Sequence, residues 1–519
     1  MDTSATYTLE ECVNYIGLGK FQWRLFSIIS FCTMADAGEI LLLTILGPAL
    51  QCYWPYITDI RIAALTTCVF SGTLCGGFIL GLIADKYGRR RVIVTSAIII
   101  SLSGILTALA PSYNYVLLTA FFVGVGMGGL NQGNNLLLEY LPSSSRAMLV
   151  ISIQLFWSFG GIYEYVLGMI IMPSYGWRLL IALTSLPLFV ILIGMYYITE
   201  SPRFYVASGQ QEKAEDLLKE MASVNQSPLP PGKLVDTNAK DECGSITELF
   251  HRNCRKTTFL LAYIWIVAGL DYYGLILLNT SLMTSPNNNN NKLSSIESNI
   301  TQPTQCKMLT TSDYTSLIFT TSGEMLGIPL LFILLRYAGR RTISVINYSI
   351  SAICFALFFF VIPHRELWRL NIITFIGRMV IMCQFSLLPL YTMEVYPTSI
   401  RGLAIGCAFG ISRIGAMTSP FLSQVLLKKT YFGTIGIYVF LTAIAAFCSF
   451  LLPTETKGHA LKQSIFDPDV SLIISENGVT PIWTKAVDNT TSLANMDNGN
   501  MNKNYKSLEA DNMMSTQTQ

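Results

Sequence analysis

Twelve apolar runs, separated by short polar turns, occupy most of the chain. They are Phe21 to Leu50, Ile62 to Ala84, Val92 to Ala110, Val116 to Leu138, Ala147 to Met172, Leu179 to Ile198, Thr257 to Met283, Thr315 to Leu335, Thr342 to Ile362, Leu370 to Tyr391, Leu403 to Leu427 and Phe432 to Leu452. Each has about the 20 residues that an α-helix needs to cross a bilayer. The pattern predicts an all-α membrane protein with twelve transmembrane helices in two six-helix bundles. A polar stretch, Thr199 to Lys256, separates the sixth run from the seventh. It is too small and polar for an independent enzyme domain and reads as a linker. Within it, Gly209 to Met221 predicts a short amphipathic helix with Leu217 and Leu218 on one side. The expected organisation is residues 1–20 as an N-terminal arm, 21–198 as one bundle, 199–256 as the linker, 257–453 as the second bundle and 454–519 as a disordered tail.

Composition agrees with the pattern. The chain is 51% hydrophobic and 13% charged, with a mean hydropathy of +0.47. A soluble domain averages about 25% charged residues. The net charge of +2 gives no support to nucleic-acid binding. Histidines and cysteines show no metal-ligand spacing, and no catalytic constellation lies on a soluble segment, so the chain reads as neither a metal site nor an enzyme.

Basic residues orient the spans. Lys86, Arg89 to Arg91, Arg146, Arg203, Arg252, Arg255, Lys256, Arg336, Arg340, Arg341 and Arg401 fall in one set of loops. Basic loops stay in the cytosol, which predicts cytosolic termini and a cytosolic linker. The loop from Ser285 to Ser312 then faces the lumen or exterior. It carries Asn299-Ile300-Thr301, a glycosylation acceptor on the permitted side. Cys52 and Cys306 are the two cysteines on that side, where an oxidising compartment allows a disulfide; free thiols are the alternative.

The turn after the second run reads Gly81-Leu82-Ile83-Ala84-Asp85-Lys86-Tyr87-Gly88-Arg89-Arg90-Arg91. Gly81 suits close helix approach and Gly88 a tight turn. Asp85 needs a partner there, either a helix N-terminus or an arginine. This spacing resembles the loop between helices 2 and 3 of major facilitator superfamily transporters. The resemblance implies a gate latch formed by Asp85, Arg89 and Arg90. An internal repeat points the same way. Glu139-x-x-Pro142-x-x-x-Arg146 recurs 255 residues later as Glu394-x-x-Pro397-x-x-x-Arg401, and Thr199-Glu200-Ser201 recurs at the same offset as Thr454-Glu455-Thr456. The latch recurs weakly as Arg336-Tyr337-Ala338-Gly339-Arg340-Arg341. A duplicated six-helix unit is the expected architecture of an alternating-access transporter. Glu200-Ser201-Pro202-Arg203, Glu394-Val395-Tyr396-Pro397-Thr398 and Pro453-Thr454-Glu455-Thr456 resemble the sugar and organic-ion porter branch of the superfamily. The opening Thr6 to Glu11 and the stretch Met34 to Glu39 resemble a synaptic-vesicle subgroup, which implies a vesicle membrane, with the plasma membrane as the alternative.

Charge inside the spans is the main functional signal. An ionisable side chain at the centre of a bilayer costs roughly 2.5–3.5 kcal/mol on insertion scales. Asp36 and Glu39 sit on one face of the first run, Glu164 in the fifth, Asp271 in the seventh, Glu324 in the eighth, Arg378 in the tenth and Arg413 in the eleventh. Runs three, six, nine and twelve carry no central charge. In the superfamily those four helices are peripheral, so the charges are expected to open onto a shared central cavity. Acids outnumber arginines there, which favours a cationic substrate or protons. Trp157, Tyr163, Tyr165, Tyr272 and Tyr273 add ring faces that attract cations, although packing alone also accounts for them. The competing role for the acids is an internal ion pair of Glu39 or Glu324 with Arg378 or Arg413.

Two features cut against simple extrapolation. Ala120 stands where many superfamily members have a helix-4 arginine tied to coupling, which leaves room for a facilitator. Gly124 to Gly129 contains G-x-G-x-x-G, but inside an apolar run it reads as helix packing rather than dinucleotide binding. The leading expectation is a transporter of a small organic ion, cation favoured. An organic anion read by Arg378 and Arg413 is one rival, and a non-transporting vesicle binding or trafficking protein is the other.

Overall fold

The computed structural model describes residues 6–235, 246–252, 254–284, 308–364, 366–457, 470–475 and 478–483. Its spanning helices are α1 (Lys20–Tyr53), α2 (Asp59–Tyr87), α3 (Arg89–Ala108) and α4 (Tyr113–Tyr140). The stretch Ser143–Tyr197 follows as one helical run, which Gly176, at φ 74°, breaks into α5 (143–175) and α6 (177–197). The second bundle holds α7 (Arg255–Thr284), α8 (Thr311–Tyr337), α9 (Arg340–His364), α10 (Leu367–Val395), α11 (Ile400–Lys429) and α12 (Tyr431–Phe450). Helices satisfy their own backbone polar groups, which hydrocarbon requires. All twelve expected spans are helical, and most run a few residues past their apolar stretch because the flanking polar residues continue the hydrogen-bond ladder.

Within each bundle, glycine sets how closely helices approach. A Cβ on Gly72 would lie 2.2 Å from the Phe121 carbonyl oxygen, and one on Gly76 2.1 Å from that of Val125. Across the same seam, a Cβ on Gly124 would lie 2.1 Å from the Val69 carbonyl oxygen. Gly126 and Gly129 face α3 instead, against Ile100 and Ser96. The G-x-G-x-x-G run is therefore a two-sided helix-packing surface. The second bundle repeats the seam with half the glycines, Gly323 and Gly327 of α8 lying against the Phe375 and Met379 carbonyls of α10. Gly160 abuts the Met34 carbonyl and Gly415, 255 residues on, abuts that of Ile266, so α1–α5 and α7–α11 pack alike. The bundles meet along α2 with α11 and α5 with α8.

The N-terminal arm is structured. Thr8 and Glu11 form a capping box that starts the helix Leu9–Ile16. Thr6–Tyr7 pairs in parallel with Lys233–Leu234 of the linker. The amphipathic linker helix runs Gln211–Asn225 and buries Leu217 and Leu218. Its Asn225 Oδ1 accepts from the Phe21 amide at 2.9 Å, tying the linker to the start of α1. Within the stretch expected to be a disordered tail, Val470–Ser475 and Gly478–Trp483 pair as an antiparallel hairpin in a separate unit. The β-branched run there competes with the polar composition that led to the opposite expectation.

The glycine seam yields a controlled prediction. Gly124→Val forces a branched side chain onto the Val69 carbonyl and is expected to cost about 1–3 kcal/mol, as overpacking does. Gly77→Ala, with nothing within 4 Å of its Cβ, is expected to be neutral. Thermal melting of the purified proteins in detergent distinguishes the two; equal melting temperatures would mean the seam is not tight.

Candidate functional site

Two charged regions stand out, one at the basic ends of the helices and one at mid-membrane between the bundles. At the basic face, the Glu200 carboxylate accepts the Arg89 amide at 2.8 Å and the Arg90 amide at 3.1 Å, capping the N-terminus of α3. Arg89 forms an ion pair with Glu139 at the end of α4, and Arg90 Nε donates to the Met195 carbonyl at 3.0 Å. The second bundle copies this. Glu455 accepts the Arg341 and Thr342 amides at 3.3 and 3.4 Å. Arg340 makes a two-pronged pair with Glu394, both bonds 3.0 Å, and Arg341 donates to the Phe450 carbonyl. Gly88 and Gly339 are needed because each carboxylate lies where a Cβ would be, 2.3 Å for Glu200 Oε2 and 2.2 Å for Glu455 Oε2.

Two expectations for this face, a partner for Asp85 and a tight contact at Gly81, are corrected. Asp85 is exposed and makes no hydrogen bond or ion pair among the described residues; Glu200, 111 residues from Arg89, supplies the carboxylate instead. Glu139 and Glu394 pair with Arg89 and Arg340, not with Arg146 and Arg401 of their own repeats. Arg146 lies 3.6 Å from Glu10 of the N-terminal helix, and Arg401 donates to the Tyr396 carbonyl, with Arg146 and Glu10 in electrostatic range. Gly81, expected at a tight helix contact, has only the Gln132 amide nitrogen near its Cβ position, at 3.6 Å. Sequence reasoning passed over Glu200 and Glu455 as site residues. Their recurrence at the 255-residue offset was the available signal.

At mid-membrane, Arg378 is 1% exposed and donates to Glu324 Oε1 through Nε at 2.9 Å and Nη2 at 2.7 Å. Tyr272 Oη donates to the same carboxylate, 3.2 and 3.3 Å from its two oxygens. Trp157 Nε1 of α5 donates to Tyr272, so a polar chain crosses from the first bundle into the second. Arg413 does not take an acid directly; its Nη1 donates to Tyr273 Oη at 2.8 Å, and it acts on Asp36 across the interface. The Tyr273 ring also packs on Phe70 of α2, with centroids 4.6 Å apart.

Asp36 and Glu39 lie on the inner face of α1, 4% and 5% exposed. Neither makes a hydrogen bond among the described residues, and Asp36 Oδ1 and Glu39 Oε1 are fully buried and unpartnered. Glu164 faces α6, where Thr184 Oγ1 lies 3.1 and 3.0 Å from its two oxygens. Asp271 faces α12 and meets Thr442. The expectation that all the acids open onto one wet cavity is therefore corrected: Glu164 and Asp271 turn toward outer helices. Small cavities of ≈20 Å³ between α5 and α10, beside Gln154 and Ser386, and ≈10 Å³ beside Thr44 and Tyr273 lie at the interface. On the face opposite the basic ends, Lys428 of α11 pairs with Asp59 of α2, and Thr67 Oγ1 donates to the Met417 carbonyl at 3.0 Å, clasping the bundles together. Cys52, on that same face, is disulfide-bonded. Its expected partner Cys306 and the acceptor Asn299 lie outside the described residues.

Two six-helix bundles with a polar, charge-bearing interface define a membrane carrier that works by alternating access, not an enzyme. The chain belongs to the sugar (and other) transporter family of the major facilitator superfamily, which matches residues 44–464. It is 37% identical over 464 residues to the synaptic vesicle 2-related protein of Xenopus laevis, covering 89% of this chain and 83% of the relative, and 36% identical over the same length to that of Bos taurus, with the same coverage. Its fold is similar to the partially occluded inward open conformation of the xylose transporter XylE from E. coli, with TM-score 0.66, 15% identity, and coverage of 85% of this chain and 100% of the other.

The buried pair makes a stability prediction. Glu324→Gln alone strands a buried guanidinium and is expected to cost about 3–5 kcal/mol. The double variant Glu324→Gln, Arg378→Met removes the stranded charge and should recover most of the loss. A melting comparison checks this; a double variant no better than the single one would mean the two groups do not depend on each other.

Proposed function

We propose that this chain carries a small organic cation across a membrane by alternating access, with Asp36 and Glu39 as the groups that receive it. The observation that carries the reading is that these two carboxylates are buried on one helix face and have no hydrogen-bond partner among the described residues, while Glu324 is already neutralised by Arg378 and the cation in electrostatic range of Asp36, Arg413, is bonded to Tyr273 instead. A buried carboxylate without a partner is costly, so the natural occupant is a cation or a proton from outside. Tyr163, in electrostatic range of Glu39, and Tyr273, in range of Asp36, supply aromatic surface nearby. A neutral sugar needs hydrogen-bonding groups rather than net negative charge. The anion reading loses Arg378, whose charge Glu324 neutralises.

The basic face is the cytosolic one on this reading, and the Asp59–Lys428 clasp is the closed outer gate. Movement to the other access state breaks that clasp and the Trp157–Tyr272 contact, while the Glu200 and Glu455 caps move with their own bundles. Glu139 and Arg89, with Glu394 and Arg340, brace the basic ends during that motion. The names of the relatives support a vesicle membrane as the location.

The test is uptake into proteoliposomes, screening organic cations, organic anions and xylose with and without a pH gradient. Saturable cation uptake by the wild type, lost in Asp36→Asn and in Glu39→Gln with surface expression intact, is the expected result. Unimpaired cation uptake in both variants removes them from the site. Uptake confined to anions or xylose overturns the cation reading.

A further inference from the structure

Asp271 is not accounted for by the central site. It sits on α7, 1% exposed, and the described residues offer it a single hydrogen-bond partner, Thr442 of α12. Thr442 Oγ1 lies 2.9 Å from Asp271 Oδ2, 3.0 Å from Oδ1 and 2.7 Å from the carbonyl oxygen of Tyr438, one turn earlier on α12. A threonine hydroxyl has one proton. A carbonyl oxygen can only accept, and it makes the shortest of the three contacts, so the hydroxyl proton points at Tyr438. The contact between the hydroxyl and the carboxyl then needs a proton of its own. The carboxyl is the group that can supply it.

The surroundings agree. Tyr263 of α7, Tyr348 of α9 and Tyr438 of α12 are the titratable groups in electrostatic range of Asp271. Their hydroxyls are engaged elsewhere: Tyr263 with the Leu441 carbonyl at 3.1 Å, Tyr348 with the Ile264 carbonyl at 2.9 Å and Tyr438 with Ser423 at 2.8 Å. The cations on helices packed against α7 are engaged too. Arg413 of α11 meets Tyr273, and Arg378 of α10 meets Glu324. The acids of the neighbouring α1, Asp36 and Glu39, are buried and bring no positive charge toward Asp271. Among the described residues, no cation in this shell pairs with Asp271.

We propose that Asp271 is a proton-binding site, loaded as a neutral carboxylic acid in this state, with Thr442 as the acceptor that holds the proton and separate from the acids that receive the substrate. When the change of access state lets water reach the acid, its O–H bond breaks and the proton passes to water, leaving a carboxylate. Return to this state requires the proton back. Thr184 and Leu180 reproduce the arrangement at Glu164, but Glu39 faces that acid, so Asp271 is the cleaner site.

Infrared difference spectroscopy on the full chain in detergent tests this without any substrate, so its outcome is independent of whether Asp36 and Glu39 bind a cation. At neutral pH the wild type should show a protonated-carboxyl band that shifts on transfer to D₂O. Asp271→Asn, whose amide can donate to Thr442 in the same way, should lack it, and Asp36→Asn should keep it. Absence of any Asp271-dependent band would mean the group is ionised. A band that does not exchange in D₂O would mean a sealed structural acid. Both results overturn the proposal. If Asp271→Asn does not fold, Thr442→Val serves: its band should move to the position of an unbonded carboxyl, and a carboxylate signal in its place overturns the idea equally.

Discussion

Charge between helices in hydrocarbon has to be neutralised, and the arrangement of this molecule follows from how that is done at each place. At the centre of the second bundle, Glu324 and Arg378 cancel each other with two hydrogen bonds. At the basic ends, Glu200 and Glu455 meet the exposed amides of α3 and α9. Glu164 and Asp271 are each held by one threonine hydroxyl and no cation. Asp36 and Glu39 alone among these groups have nothing bonded to them within the described residues. In the function proposed above, these two open acids are the ones that receive the substrate.

The same economy explains which contacts are permanent and which can break. Inside each bundle, backbone meets backbone at glycine, and such seams have no side chain to rearrange. The capping carboxylates occupy the space a Cβ would fill at Gly88 and Gly339, so each cap is locked to its own turn. Between the bundles the contacts are of another kind: side-chain hydrogen bonds from Trp157 to Tyr272, a ring contact of Phe70 with Tyr273, and one surface ion pair, Asp59 with Lys428. Contacts like these exchange for water at modest cost. Two stiff bodies joined by a soft seam is what alternating access requires.

Duplication is visible at the level of single bonds. Arg90 reaches the Met195 carbonyl and Arg341 reaches the Phe450 carbonyl, acceptors 255 residues apart. Tyr140 donates to the Glu200 carbonyl and Tyr391 to that of Thr454, each at 2.8 Å. The asymmetries are equally local. The first bundle carries glycine on both sides of its α2–α4 seam, the second on one side of α8–α10. Arg336 stands where the first half has the motif aspartate, and that aspartate, Asp85, makes no hydrogen bond or ion pair among the described residues.

The twelve helices, their division into two bundles, the packing role of the glycine run and the short list of interior charges were legible in the residues, because spanning length and the cost of charge in lipid are set by composition alone. Which way each charge points was not. An α-helix turns about 100° per residue, so a small change in the rotation of α7 decides whether Asp271 meets a central cavity or Thr442 of α12, and that rotation is set by packing against neighbours distant in sequence. The pairing of Arg89 with Glu139, the capping of α3 by Glu200 and the idle Asp85 belong to the same class: every local motif was in plain view, but the partners are brought together only when helices from far apart in the chain end at the same face of the membrane.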